Sequence, residues 1–135
     1  MERIFQTIFG ALGAIAGFIW GGLDGMIIAL LICIVLDYIT GCLVGISQKK
    51  LSSQVGFKGI CKKVAILILV GLAHILDVYI LKTGSILRSA VSAFYIANEG
   101  ISILENCGNL GLPIPKKLKE VLAQLKNEEK DETTE

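Results

Sequence analysis

Five ionisable side chains interrupt stretches of this sequence that are otherwise apolar: Asp37, His74, Asp77, Arg88 and Glu99. Charges are costly in hydrocarbon, so such residues pair with one another, face water or carry protons. His74 and Asp77 are three residues apart, which places them on one helix face and allows a proton relay. A polar contact between helices is the preferred explanation of the spacing, and Asp77 reaching the membrane interface near Lys82 is a further alternative.

The composition places these residues in a membrane protein. The chain has 135 residues, of which 53% are hydrophobic, and its mean hydropathy is +0.69. These values exceed those of ordinary soluble domains, and the apolar residues fall in blocks long enough to cross a hydrocarbon core. We therefore expect an all-α integral membrane protein.

Four candidate transmembrane spans cover residues of about 7–23, 25–47, 64–81 and 86–104. Short glycine-containing turns after the first and third spans predict two helical hairpins. This transmembrane domain, residues 1–110, is followed by a cytoplasmic basic amphipathic helix at 111–127 and by an acidic tail at 128–135 that is expected to be disordered.

The fourth span is the weakest of the four. In span two the apolar side chains favour insertion by about 5 kcal/mol, against a cost of about 3 kcal/mol for Asp37. Span four has fewer apolar residues and carries Arg88, Asn98 and Glu99. It either inserts with the help of other helices or lies along the membrane surface.

The lysines predict the orientation, because positively charged loops stay in the cytoplasm. Five of them crowd the connection between spans two and three, which is therefore expected to be cytoplasmic. With four spans, both termini are then cytoplasmic as well. The lysines that indicate this topology are Lys49, Lys50, Lys58, Lys62 and Lys63.

Small residues mark two helix faces suited to association. Asp37, Gly41 and Gly45 recur at steps of four, so the carboxylate lies on a face that another backbone can approach closely. We interpret Asp37 as an assembly residue, although glycines are also simply frequent in membrane helices. Span one has a comparable face formed by Gly10, Gly13, Gly17 and Gly21.

A polar stripe runs along span four at steps of three or four residues. A single chain of four spans has too few helices to bury such a stripe, so we expect the stripe to face water, a partner or another copy. An amphipathic helix lying at the interface is the alternative. The residues predicted to be intramembrane and polar or lumen-facing are His74, Asp77, Arg88, Ser92, Tyr95, Glu99 and Ser102.

Catalytic chemistry is not indicated by any motif. No nucleophile, base and orienting acid occur together outside the apolar segments, so no catalytic residue, metal ligand or cofactor is predicted and the chain is not expected to be an enzyme. The four cysteines lack metal-binding spacing and are expected to be reduced. The basic residues are accounted for by topology, which argues against nucleic-acid binding.

Longer segments carry a family resemblance. They are DYITG at 37–41, LSSQVGFKGICKK at 51–63, the apolar run that ends at Asp77, and AFYIANEGISILENCGNLGLPIPKKLKEVL at 93–122. Together they resemble the bacteriophage holins of the toxin-secretion and phage-lysis family found in clostridia and related Gram-positive bacteria.

The resemblance implies a multi-pass protein of the host bacterial cytoplasmic membrane, whose partners are membrane lipid and further copies of itself. Such a homo-oligomer forms lesions that release an endolysin, without direct contact with it, or that export a large toxin. The residues alone leave two alternatives open. One is a small oligomeric ion channel or proton-coupled carrier, and the other is an accessory membrane subunit that recruits a partner through its C-terminal helix.

Overall fold

A computed structural model describes residues 1–132, and every element within that range is helical. This confirms the expected all-α class. Helix α3 continues into a π-helical segment, Leu76–Leu81. The helices are α1 (Glu2–Trp20), α2 (Gly25–Ser47), α3 (Ser53–Ile75), α4 (Ile86–Asn109) and α5 (Lys116–Glu132).

Local chemistry sets the helix ends. Gly21 ends α1 with φ of +78°, a left-handed conformation that costs glycine little, and donates its N–H to the carbonyl four residues earlier. Asp24 begins α2 by accepting a hydrogen bond from the Ile27 amide at 3.1 Å. Ser52 begins α3 in the same way, accepting from Val55 at 3.2 Å. The turn-forming residues in the sequence therefore act as helix caps.

Three helical segments are long and apolar enough to cross a membrane: α1, α2, and α3 with its π-helical continuation, Ser53–Leu81. Helix α4 is not one of them among the described residues, so the expected count of four such spans is not confirmed. The physical reason is that Arg88, Asn98 and Glu99 lower the hydropathy of α4, which also made it the weakest of the four candidate spans in the sequence.

Helices α2, α3 and α4 form the packed centre of the molecule. Helix α4 makes its largest interface with α2 and also packs against α3. The buried apolar core consists of Ile27, Leu30 and Ile34 from α2 together with Ile66 and Val70 from α3. Helix α4 covers this core with Val91, Tyr95 and Ile96.

Helix α1 packs on α3, and its main partner is not α2. A Cβ atom on Gly71 would lie 2.9 Å from the Ile19 side chain, so the two helices approach closely there. The Trp20 indole N–H donates to the Leu67 carbonyl at 3.0 Å. The expected hairpin of spans one and two is therefore corrected: the turn is present, but α1 crosses to α3 because Gly71 offers it a close backbone approach.

Helix α5 folds back against α4. It extends to Glu132, beyond the expected boundary at residue 127, and residues 133–135 of the expected tail lie outside the described residues. Gly111, with φ of +92°, and the prolines at 113 and 115 make the sharp turn between the two helices.

The exterior is strongly apolar on one side of the molecule. Most of the large hydrophobic side chains that the chain exposes belong to α1, α2 and α3, and few belong to α4 and α5. Such a surface is suited to lipid and not to water. The molecule therefore has a lipid-compatible side and a second side formed by α4 and α5.

Candidate functional site: two buried charge clusters

The first group of intramembrane charges joins α2, α3 and α4, and we call it the lysine cluster (Asp37, Thr40, Lys63, Glu99 and Asn106). The Lys63 ammonium forms ion pairs with both the Asp37 and the Glu99 carboxylates. All three side chains are largely buried, with relative exposures of 16% for Lys63, 11% for Asp37 and 9% for Glu99. One ammonium thus offsets two carboxylates in a site of low dielectric.

Amide and hydroxyl groups complete the lysine cluster. Asn106 Nδ2 donates to Asp37 Oδ1 at 3.1 Å and to Thr40 Oγ1 at 2.9 Å. The Thr40 hydroxyl in turn donates to the Leu36 carbonyl at 2.8 Å. Since polar groups in an apolar environment are costly when unpaired, these bonds hold α4 in register with α2.

The second group, the arginine cluster (Asp24, Asp77, Thr83 and Arg88), lies at the opposite end of the α2–α4 interface. Arg88 is 4% exposed, and its guanidinium donates to Asp24 Oδ2 at 2.7 Å and to the carbonyls of Trp20 and Gly22. One side chain thereby binds the end of α1 and the N-terminal cap of α2. The planar fork of the guanidinium suits this arrangement of several acceptors.

Asp77 caps α4 from the π-helical segment. Its carboxylate is fully buried and accepts hydrogen bonds from the amides of Leu87 at 3.0 Å and Arg88 at 2.8 Å. The Thr83 hydroxyl donates to it at 2.8 Å. These first-turn amides have no partner within the helix, and a carboxylate there also complements the helix dipole. Asp77 therefore caps the N-terminus of α4, although it belongs to the π-helical segment and not to α4.

Asp24 lies in the turn between α1 and α2, and its environment favours the charged carboxylate. The hydrogen bond from Arg88 is the largest influence, followed by the hydrogen bond from the Ile27 amide. Together they lower the pKa of Asp24 from 3.8 to about 2. The Asp24–Arg88 pair is therefore intact at any physiological pH.

His74 and Asp77 make different contacts in the structure. The imidazole of His74 lies against Gly21, where an added Cβ would be only 2.7 Å away, while Asp77 is engaged with α4. Glycine is needed at position 21 for this reason as well as for its backbone conformation. The two residues are close in sequence, but each serves a different helix contact.

The polar stripe of α4 turns inward. Arg88, Ser92 and Glu99 are buried against α2 and α3, so the argument that one chain has too few spans to bury the stripe is wrong for these residues. The physical reason is that α2 and α3 supply counter-charges at matching levels. The Ser92 hydroxyl is buried without a hydrogen-bond partner among the described residues. Tyr95 packs against the apolar core.

Two cavities border the lysine cluster. One of about 280 Å³ is lined by Asp37, Cys42, Leu51, Lys62 and Asn106, among others. The second, of about 410 Å³, lies on the side of Glu99 and Tyr95. Asp37, Lys63 and Ser102 line both. Cavities of this size that border charged side chains are large enough for several water molecules.

The two predicted association faces differ in the structure. Gly41 lies against Asn106, and Gly45 lies against Leu51, so the face around Asp37 is occupied within the chain. On α1, by contrast, a Cβ at residues 10, 13 or 17 would meet nothing within 4 Å. We call these three positions the α1 glycine face (Gly10, Gly13 and Gly17). It is the predicted face that the chain leaves open.

Lys63 has a role that sequence reasoning missed. Four of the loop lysines are exposed, as topology markers should be, but Lys63 pairs with Asp37 and Glu99. A signal was present, because Asp37 and Lys63 each lie ten residues from the ends of α2 and α3 that face the short connection. Residues equidistant from a tight turn between antiparallel helices lie at the same level.

The described residues contain no group of three or more His, Cys, Asp or Glu side chains that could hold a metal ion. All four cysteines are free.

Comparison with known proteins identifies the family. The profile of the bacteriophage holin family matches residues 14–127, most of the chain. The chain belongs to the bacteriophage holin family. This confirms the resemblance seen in the sequence, and holin-family membership together with three apolar helices places the chain in a membrane.

Relatives of this holin-family chain occur in several Gram-positive bacteria. An uncharacterised 14.9 kDa protein of Clostridium perfringens is 46% identical over 131 residues, covering 94% of this chain and 98% of the relative. An uncharacterised protein of Listeria monocytogenes is 49% identical over 122 residues, covering 90% and 86% respectively. A third, of Bacillus subtilis, is 33% identical and covers 83% of both chains. No solved structure matches.

Proposed function

We propose that this protein is a phage-type holin that oligomerises in the host cytoplasmic membrane and forms lesions large enough to release an endolysin or to export a large toxin. One observation carries the proposal beyond family membership. Each buried charge of α2, α3 and α4 has a partner within the chain, while the exterior of α1 to α3 is apolar and the α1 glycine face is open. Such a molecule can accumulate in lipid without leakage and still associate.

The proposed topology has both termini in the cytoplasm. Helix α4 runs beside α2 in the same direction, because Arg88 meets Asp24 near the start of both helices and Asn106 meets Thr40 further along. If α2 crosses the membrane, α4 crosses with it, its charges screened by α2 and α3. This is the assisted insertion that the composition of α4 requires.

Self-association is proposed to use the α1 glycine face of one copy against a second copy. Small residues at steps of three and four allow two helix backbones to approach closely in lipid. Helix α1 is the least packed of the spans, since Ala16 is the one residue of α1 that is buried. It is therefore free to contact a neighbour without disturbing the charge clusters.

The test is expression in a bacterial host together with a folded cytoplasmic reporter enzyme, following membrane potential and reporter release over time. We expect a delay, then an abrupt collapse of the potential, then reporter release once the cell wall is opened. The delay before collapse should shorten steeply as the expression level rises, because assembly depends on copy number.

A second function is favoured by the two cavities beside the lysine cluster: a small oligomeric channel or proton-coupled carrier. It predicts continuous leakage of small ions at low copy number and retention of the folded reporter. Gradual loss of potential without reporter release would therefore replace the lesion-forming proposal with this one.

A further inference from the structure

When it is docked on α4, helix α5 lies beside the membrane-spanning helices, where charged side chains exposed to lipid are costly. An added Cβ on Gly100 would lie 2.8 Å from the Leu122 side chain, so the two helices touch closely there. Gly100 follows Glu99, which pairs through Lys63 with Asp37. Asp37 is ten residues from the end of α2, or about 15 Å along the helix. The docked α5 therefore reaches well into the level of the spans.

Helix α5 is strongly charged, because four of its first five residues carry a charge and Lys126 adds another. Its apolar side, which includes Leu122, faces α4, and its other side is exposed. Hydrocarbon around that exposed side would have to accommodate several full charges. The charged residues through residue 126 are Lys116, Lys117, Lys119, Glu120 and Lys126.

The contact between α4 and α5 is close at Gly100 and Leu122 but incomplete elsewhere. The apolar side chains Leu118 and Val121 of α5 are 45% and 46% exposed. A cavity of about 400 Å³ remains between the two helices, lined by Ile101, Leu104 and Ile114, among others. Because the packing is incomplete and α5 joins α4 only through a turn that contains Gly111, α5 can leave α4 without disturbing α2 and α3.

We propose that α5 docks on α4 only when water replaces lipid on that side, so that the α4–α5 side of each copy forms the wall of the lesion lumen. In an isolated copy surrounded by lipid, α5 leaves α4 and its lysines lie on the anionic cytoplasmic surface. When copies assemble with their apolar α1–α3 side toward lipid, α5 returns to α4. This inference rests on the proposed function and names the surface that faces the lumen.

The polar stripe of α4 is the other candidate for the surface that faces the lumen, and its contacts argue against it. Its buried charged members, Arg88 and Glu99, are engaged in ion pairs within the chain, so they are not available to line water without breaking those pairs. Among the α5 residues through 126, whose side chains the structure describes, none forms an ion pair with α4. The charged side of α5 is the surface that gains most from a wet lumen.

Disulfide formation tests the docking. In a variant with all four native cysteines changed to Ser, Gly100→Cys and Leu122→Cys form the test pair, and Gly45→Cys with Leu51→Cys form the control pair. The Gly45 pair is equally close, since an added Cβ on Gly45 lies 3.2 Å from Leu51. It belongs to the α2–α3 connection, so its geometry is the same whether or not α5 is docked.

Membranes are oxidised before and after collapse of the potential, and remaining thiols are counted by a mass-tagging maleimide.

We expect the control pair to form a disulfide at both times and the test pair to form one mainly after collapse. A test pair that is oxidised equally before collapse, or that stays reduced in cells that have released the reporter, overturns the inference while leaving the holin proposal intact. Absence of any collapse, in the same cultures without cysteine changes, would instead overturn the proposed function.

A steric swap gives an independent measurement. Gly100→Leu fills the space that Leu122 occupies and should block docking, lowering reporter release severalfold at equal membrane accumulation. Adding Leu122→Ala restores the space and should restore release. Failure of the double variant to recover, with both proteins folded and inserted, contradicts the docking contact.

Discussion

Lys63 of α3 forms ion pairs with Glu99 of α4 and with Asp37 of α2, so one ammonium joins three helices. The three residues come from distant parts of the chain, so the contact links α2, α3 and α4 beside the apolar core. Pairing of this kind lets charged residues enter a membrane protein without facing lipid.

Replacement of Lys63 by Met should destabilise the fold strongly. It leaves two neighbouring carboxylates buried without a counter-charge, and breaking a buried pair from one side costs about 3–5 kcal/mol. The measurement is the free energy of unfolding in mixed micelles. Lys62→Met is the matched control, because Lys62 is exposed and its loss should cost about 0–1 kcal/mol.

The double variant Lys63→Met with Glu99→Gln should recover part of that loss, because removing a carboxylate charge relieves the repulsion that Lys63 had offset. A double variant no more stable than Lys63→Met would show that repulsion between the Asp37 and Glu99 carboxylates is not what destabilises Lys63→Met.

Arg88→Lys should loosen the end of α1 although the charge is kept. A lysine ammonium is a compact group and does not reproduce the fork that reaches Asp24 and the carbonyls of Trp20 and Gly22. Trp20 is the one tryptophan in the chain, so its fluorescence reports on this contact directly. We expect a red-shifted emission in micelles, with Arg3→Lys as the control that leaves emission unchanged.

Acid should weaken the Asp24–Arg88 contact only at low pH. The pKa of Asp24 in the folded chain is about 2, below its ordinary value of 3.8, so its stabilising effect is complete above about pH 4 and declines as the pH falls toward 2. Asp24→Asn keeps a good helix cap and removes the charge. The difference in thermal midpoint between the two proteins should stay constant from about pH 5 to 8 and shrink at lower pH. A difference that already falls near neutrality would contradict the assignment.

Gly13→Leu should delay lesion formation without affecting the fold of the single chain. A Cβ atom at position 13 meets nothing within 4 Å among the described residues, but a leucine there would separate two copies that associate through the α1 glycine face. Ala11→Leu adds similar bulk to a different side of α1. We expect collapse of the potential to be delayed for Gly13→Leu at equal accumulation and nearly unchanged for Ala11→Leu. Equal timing of the two variants would exclude this face from assembly.

The sequence by itself determined the all-helical class, the membrane environment, the helix turns and the family. These properties follow from local quantities: hydropathy over about 20 residues, glycine and proline at turns, and continuous motifs. It also identified Asp37, Asp77, Arg88 and Glu99 as residues whose charge needs an explanation.

Only the tertiary structure decided where those charges go. The partner of Glu99 lies 36 residues away and that of Asp24 lies 64 residues away, and no local pattern specifies such pairs. The direction in which the α4 stripe points depends on which helices pack beside it, and the sequence pattern alone favoured the wrong side. Helical periodicity fixes which residues share a face, whereas helix packing decides what that face meets.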